Sequence, residues 1–151
     1  MRLLVFLHLL AICLWFGSAA ADIVIEIYAW KKRSAAFSRT TAVIHEKIDL
    51  FLEGPAILLT LLTGFWLILH PSSGYLISWG RWPYWLQQKI FFGLIAAAIN
   101  FFCIFCVLQR KRYDAVNSSK RVFYDRCVRL SILGVPFAAL ALWYASQRYF
   151  S

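Results

Sequence analysis

The sequence predicts an all-α integral membrane protein, a four-helix bundle running up-down-up-down with antiparallel neighbours. Three observations carry this expectation. Of the 151 residues 62% are hydrophobic and only 15% are charged, where a soluble domain carries roughly 25% charged residues. Mean hydropathy is +0.66. The apolar residues gather into four runs, each near the ~20 residues that a helix needs to cross hydrocarbon. Only helices and closed barrels satisfy every backbone group in lipid, and these runs lack the alternating polarity of barrel strands.

The runs place helices at about 3–28, 48–70, 86–108 and 128–146, in one domain over 1–151 without repeats or low-complexity segments. The first begins after Arg2 and imitates a secretory signal, with Ala19, Ala20 and Ala21 standing where a cleavage site would be. It then continues through Ile23, Val24, Ile25 and Ile27 to Trp30, so it reads as a retained helix. The second ends at His70-Pro71, the third opens with Trp85-Leu86-Gln87-Gln88-Lys89, and the fourth is the shortest.

The net charge of +9 is a topology signal before it is anything else. Lys31, Lys32, Arg33, Arg39 and Lys47 fall in the first connection; Arg110, Lys111, Arg112, Lys120, Arg121, Arg126 and Arg129 fall in or beside the third. Arg81 is alone in the second, as are Arg2 and Arg148 at the two ends. Basic residues concentrate in cytoplasmic loops, which places both termini outside, in the periplasm if the membrane is a bacterial inner membrane. A basic stripe for nucleic acid is not needed to explain the charge; the expected contacts are the bilayer and an electron-transfer partner or a larger membrane complex. Trp79, Trp82, Tyr84 and Trp85 around Pro83 fit an outer interfacial segment, and Tyr28 with Trp30 an inner aromatic belt.

Ionisable residues inside membrane spans are costly and point to function. Asp22 and Glu26 end the first apolar run; His45, Asp49 and Glu53 open the second, all at the four-residue spacing that shares a helix face. An antiparallel hairpin brings the five to one depth. Three readings follow. The carboxylates are ion-paired with Arg126 and Arg129, or they relay protons, or with His45 they hold a divalent metal such as iron, manganese or zinc. Facing carboxylates and histidine do build metal sites in bundle cores, but the Glu-x-x-His spacing of di-iron bundles is missing.

At the opposite end His8 lies level with His70, a pair suited to haem or metal ligation; His70 alone also reads as a helix stop. His8 shares a heptad-spaced stripe with Trp15 and Asp22, which turns that face into the bundle. Lys89 follows along the same helix face as Asn100 and either snorkels outward or binds a propionate or another acidic substrate group. Cys13, Cys103, Cys106 and Cys127 lie in or at the ends of helices, where small apolar packing is their usual role. No disulfide is expected, and Cys103-x-x-Cys106 alone is a weak redox or metal signal.

Leu7-His8-Leu9-Leu10 and Leu14-Trp15-Phe16-Gly17 in the first helix, Gly54-Pro55 through Leu62-Thr63-Gly64 in the second, and Trp85 to Lys89 in the third carry a resemblance. The chain resembles the four-helix membrane proteins grouped with HemJ-type protoporphyrinogen IX oxidase and the copper resistance protein D membrane domain. The first likeness implies haem b bound through His8, with Lys89 taking the catalytic helix 3 lysine position, in an enzyme that oxidises a porphyrinogen and passes electrons to the respiratory chain. The second implies metal handling across the inner membrane. The chain departs from the HemJ pattern where that pattern has a basic residue and a second histidine toward the inner end of helix 1; here stand Asp22 and Glu26.

Three functions are thus open: a haem-binding membrane oxidoreductase with His8, His70 and Lys89 as cofactor residues; a metal or proton handling protein built on Asp22, Glu26, His45, Asp49 and Glu53; and an accessory subunit of a respiratory or photosynthetic complex.

Overall fold

The computed structural model describes residues 2–32, 35–70, 82–112 and 119–147, all but a few of them helical. The helices are α1 (Arg2–Lys32), α2 (Ala35–Ile48), α3 (Gly54–Leu69), α4 (Tyr84–Arg112), α5 (Ser119–Leu130) and α6 (Gly134–Ser146). A π-helical turn, Asp49–Glu53, joins α2 to α3, and a 3-10 turn, Ser131–Leu133, joins α5 to α6. The result is four spans: α1, α2 with α3, α4, and α5 with α6. Each contains a stretch long and apolar enough to cross a bilayer. The expected all-α, up-down-up-down bundle is what the chain forms. Trp79 and Arg81 lie outside the described residues.

Both irregular turns stand beside a proline. Proline has no N–H and its ring clashes with the carbonyl four residues back. Pro55 therefore cannot close the α-helical bond to Phe51, and the Gly54 N–H reaches back five residues to the Asp49 carbonyl instead. A Cβ on Gly54 would come within 3.0 Å of that carbonyl oxygen, so glycine fits the wider turn. Pro136 sits in the first turn of α6, directly after the 3-10 turn. His70 ends α3 in an extended conformation, as a residue before proline prefers.

Two helix boundaries differ from the hydropathy expectation. The second span becomes helical at Ala35 rather than near 48, because Ala35–Ile48 is a polar, amphipathic helix that a search for apolar runs passes over. The fourth begins at Ser119 for the same reason.

α1 packs along α2 and α3, α4 packs along α5 and α6, and the two pairs meet where α4 touches α2 and α3. The centre is small and close: Trp15, Ala56, Ile57, Ala96, Ala97 and Ala138 form one buried cluster drawn from all four spans. Small residues let helix backbones approach, which is how bundles are held in lipid, where the hydrophobic effect gives little drive for association. The outer surface is apolar, with Phe51, Leu62, Phe65 and Trp66 exposed. Such a surface is suited to acyl chains.

Candidate functional site

The hairpin of α1 against the second span brings together the residues that the sequence placed at one depth. His45, on α2, stands between carboxylates from both sides. Its Nε2 lies 3.7 Å from Asp22 Oδ2 and 3.8 Å from Asp49 Oδ1; its Nδ1 lies 3.8 Å from Glu26 Oε2. Asp22, His45, Asp49 and Glu53 are buried, and Glu26 is nearly so. Asp22, His45 and Asp49 each offer a ligand atom within 4.8 Å of the others.

The π turn contributes to this convergence. Its two ends are Asp49 and Glu53. Asp49 and Glu53 are the electrostatic neighbours of Asp22, and His45 and Asp49 those of Glu53. Single π turns inside α-helices recur at functional sites.

The polar groups of this centre are not all satisfied from within. Both carboxylate oxygens of Asp22 and the Nδ1 of His45 are buried without a hydrogen-bond partner among the described residues. A buried polar atom left in this state costs free energy unless something compensates it. Glu53 does have an anchor: Asn100 of α4 donates through Nδ2 to Glu53 Oε1.

A cavity of about 180 Å³ opens onto the centre from between the spans. Asp22, Glu26, His45 and Glu53 form its polar wall, together with Asn100 and Cys103. Arg129 also lines it. Arg126 and Arg129, the expected counter-ions, are both exposed, and His45 reaches ion-pair distance of three carboxylates.

At the other end of the bundle His8 is buried, as its stripe with Trp15 and Asp22 implied. Its Nδ1 is 2.9 Å from the Thr63 hydroxyl oxygen. That hydroxyl donates to the Leu59 carbonyl at 2.6 Å, so its proton is committed and its oxygen accepts. The Thr60 carbonyl is a further hydrogen-bond partner of the same imidazole. The ring packs against α3 at Gly64, where a Cβ would stand 3.0 Å from His8 Cε1. Lys89, half-buried on α4, is close enough for its charge to act on His8. His70 lies seven residues beyond Thr63, about 10 Å further along the helix axis.

Thr63, Gly64 and Asn100 are the residues whose roles the sequence reading did not reach. Thr63 and Gly64 stand on the face of the second span that meets His8, and Asn100 is an amide ten residues or more from the other polar side chains Gln87, Gln88 and Lys89 of the third apolar run. A polar side chain in such a run is itself a signal.

The thiols of Cys103, Cys106 and Cys127 are buried and form no disulfide, clustered with Val107 and Val128 between α4 and α5. Cys13 is free and exposed.

No curated protein and no solved structure matches the chain. A family model does, over residues 2–145, which is nearly the whole of the four spans. The chain belongs to the DUF2269 family of predicted integral membrane proteins.

Proposed function

We propose that this protein is a metal-handling membrane protein that binds a divalent transition-metal cation between its first two spans. The observation that carries the reading is the convergence of Asp22, Glu26 and Asp49 on the buried imidazole of His45, with both Asp22 oxygens buried and no donor within hydrogen-bond distance of them among the described residues. Asp22, His45 Nε2 and Asp49 are the ligands. Two of their separations are 3.7 Å and 3.8 Å and all lie within 4.8 Å, where tetrahedral zinc ligands at 2.0–2.1 Å are separated by about 3.4 Å, so the three would have to draw together on the ion. Carboxylate oxygens with one imidazole nitrogen suit manganese, iron(II) and zinc.

Glu26 has a different part. With Nε2 turned to the ion, Glu26 is the carboxylate 3.8 Å from His45 Nδ1, and closing that gap to a hydrogen bond would give the carboxylate-histidine-metal arrangement that fixes the tautomer of a ligating histidine. A bound dication also offsets the repulsion among carboxylates that apolar surroundings would otherwise leave unscreened. The basic end of the bundle, nearer this centre than the termini are, is the cytoplasmic side under the distribution of Lys and Arg.

The test is metal analysis of the purified protein in detergent, followed by titration of metal-stripped protein with Mn²⁺ and Zn²⁺. One tightly bound equivalent, lost in Asp22→Asn and in His45→Gln, supports the reading. Wild-type protein that binds neither ion defeats it.

One observation favours a second reading at the opposite end. His8 is buried with Nδ1 on the Thr63 hydroxyl, and with the proton on that nitrogen Nε2 would offer the lone pair that a haem iron or a metal needs. His8 would be the axial ligand of haem b and Lys89 would bind a propionate; a bound haem would supply one-electron chemistry. A Soret band in the purified protein, abolished by His8→Ala and kept in His45→Ala, is the result that this reading requires.

A further inference from the structure

Glu53 stands at the edge of the cation centre. It is buried, it neighbours Asp22, Asp49 and His45 electrostatically, and it faces the same cavity as they do. His45 and Asp49 act on it from its own span, and across the hairpin it meets the Asp22 carboxyl. Glu53 closes the π turn, and the next two residues, Gly54 and Pro55, offer no side-chain donor. The amide that donates to it comes from another span: Asn100 Nδ2, 47 residues away on α4.

We infer that Glu53 is a further ligand of the cation and that Asn100 is its positioning residue, holding the carboxylate toward Asp22, Asp49 and His45. The inference rests on the cation reading above. An amide is suited to the task because it presents a donor to the carboxylate, yet brings no charge that would compete with a metal. Asn100 is seated in turn by the fourth span. Gly134, buried at the start of α6, meets α4 at Ile99 and Asn100, where a Cβ would stand 3.2 Å from Ile99 Cγ2 and 3.6 Å from Asn100 Oδ1. Groups that orient metal ligands typically affect affinity by about 10–100-fold when removed.

The experiment is a double-mutant cycle on Mn²⁺ and Zn²⁺ affinity in detergent, with Asn100→Leu, Glu53→Gln and the pair. Asn100→Leu keeps the shape and removes the donor; Asn100→Ser serves if the leucine variant does not assemble. The expected result is a loss of about 10–100-fold in Asn100→Leu. The double variant should bind no more weakly than Glu53→Gln alone, since Asn100 acts only through Glu53. A generally weakened bundle would instead give losses that multiply. Wild-type affinity in an assembled Asn100 variant, or multiplying losses, overturns the inference while wild-type binding leaves the cation reading intact. Absence of binding in the wild type removes both.

Discussion

Nε2 of His45 stands 3.7 Å from Oδ2 of Asp22 across the packed face between the first two spans. The two residues are joined only through the connection beyond Lys32, so the contact exists because α1 and α2 are antiparallel. On the cation reading they are both ligands, whereas Glu26 supports the imidazole from behind. Glu26→Gln should therefore weaken Zn²⁺ binding by about 10–100-fold, and Asp22→Asn or His45→Gln by more than that. Competition titration against a chelator of known affinity orders the variants. A Glu26→Gln loss equal to that of Asp22→Asn would make Glu26 a direct ligand instead.

The His8–Thr63 contact makes a separate prediction about stability. Thr63→Val removes the hydroxyl partner of His8 Nδ1 and leaves the Thr60 carbonyl as the partner of the ring, a loss of about 0.5–1.5 kcal/mol. Thr63→Ser keeps the hydroxyl and should lose little. Gly64→Ala places a Cβ 3.0 Å from the imidazole, and forcing a side chain aside in a packed interior costs about 1–3 kcal/mol. Thermal unfolding in detergent should rank wild type and Thr63→Ser above Thr63→Val and Gly64→Ala. Wild-type stability in Thr63→Val would show that the contact contributes nothing.

The spans and the shared depth of the five inner residues were legible because both follow from simple periodicities: apolar runs for the first, four-residue spacing for the second. Helix ends were less so. Hydropathy registers where a helix is apolar, and Ala35–Ile48 is helical without being apolar, so the second span was read as starting near 48. The partner of each polar residue was harder still. His8 and His70 have similar expected depths, yet residue counting fixes the register of a hairpin only loosely, and His8 meets the second span seven residues, about 10 Å, before His70. The side-chain contact that forms is with Thr63, one of the two threonines in that run, and the packing of α1 on α3 selects it. Asn100 was visible as a polar residue on the face of Lys89, but its link to Glu53 depends on how α4 meets the second span.

The unequal distribution of Lys and Arg predicts the sidedness. In a Cys13→Ser background, a cysteine at Ser38 should be protected from a membrane-impermeant maleimide added to intact cells, and a cysteine at Ser73 should react. Both signals should appear once the membrane is permeabilised. Reaction at Ser38 in intact cells would invert the orientation and place the carboxylate centre nearer the outer side.

Neutralising Glu26 together with Arg129 separates a cation centre from a plain ion pair. Both residues line the same cavity, so pairing between them is the natural structural alternative. A buried pair broken on one side destabilises by about 3–5 kcal/mol, and removing its second member restores most of that. Arg129, however, is exposed, and pairs with an exposed partner contribute about 0–1 kcal/mol. Glu26→Gln should thus change thermal stability by about 1 kcal/mol or less while it weakens metal binding. Adding Arg129→Gln should leave metal binding weak, because it cannot return the carboxylate that orients His45. If Glu26→Gln instead unfolds the protein, and the double replacement recovers both stability and cation affinity, Glu26 serves Arg129 rather than His45.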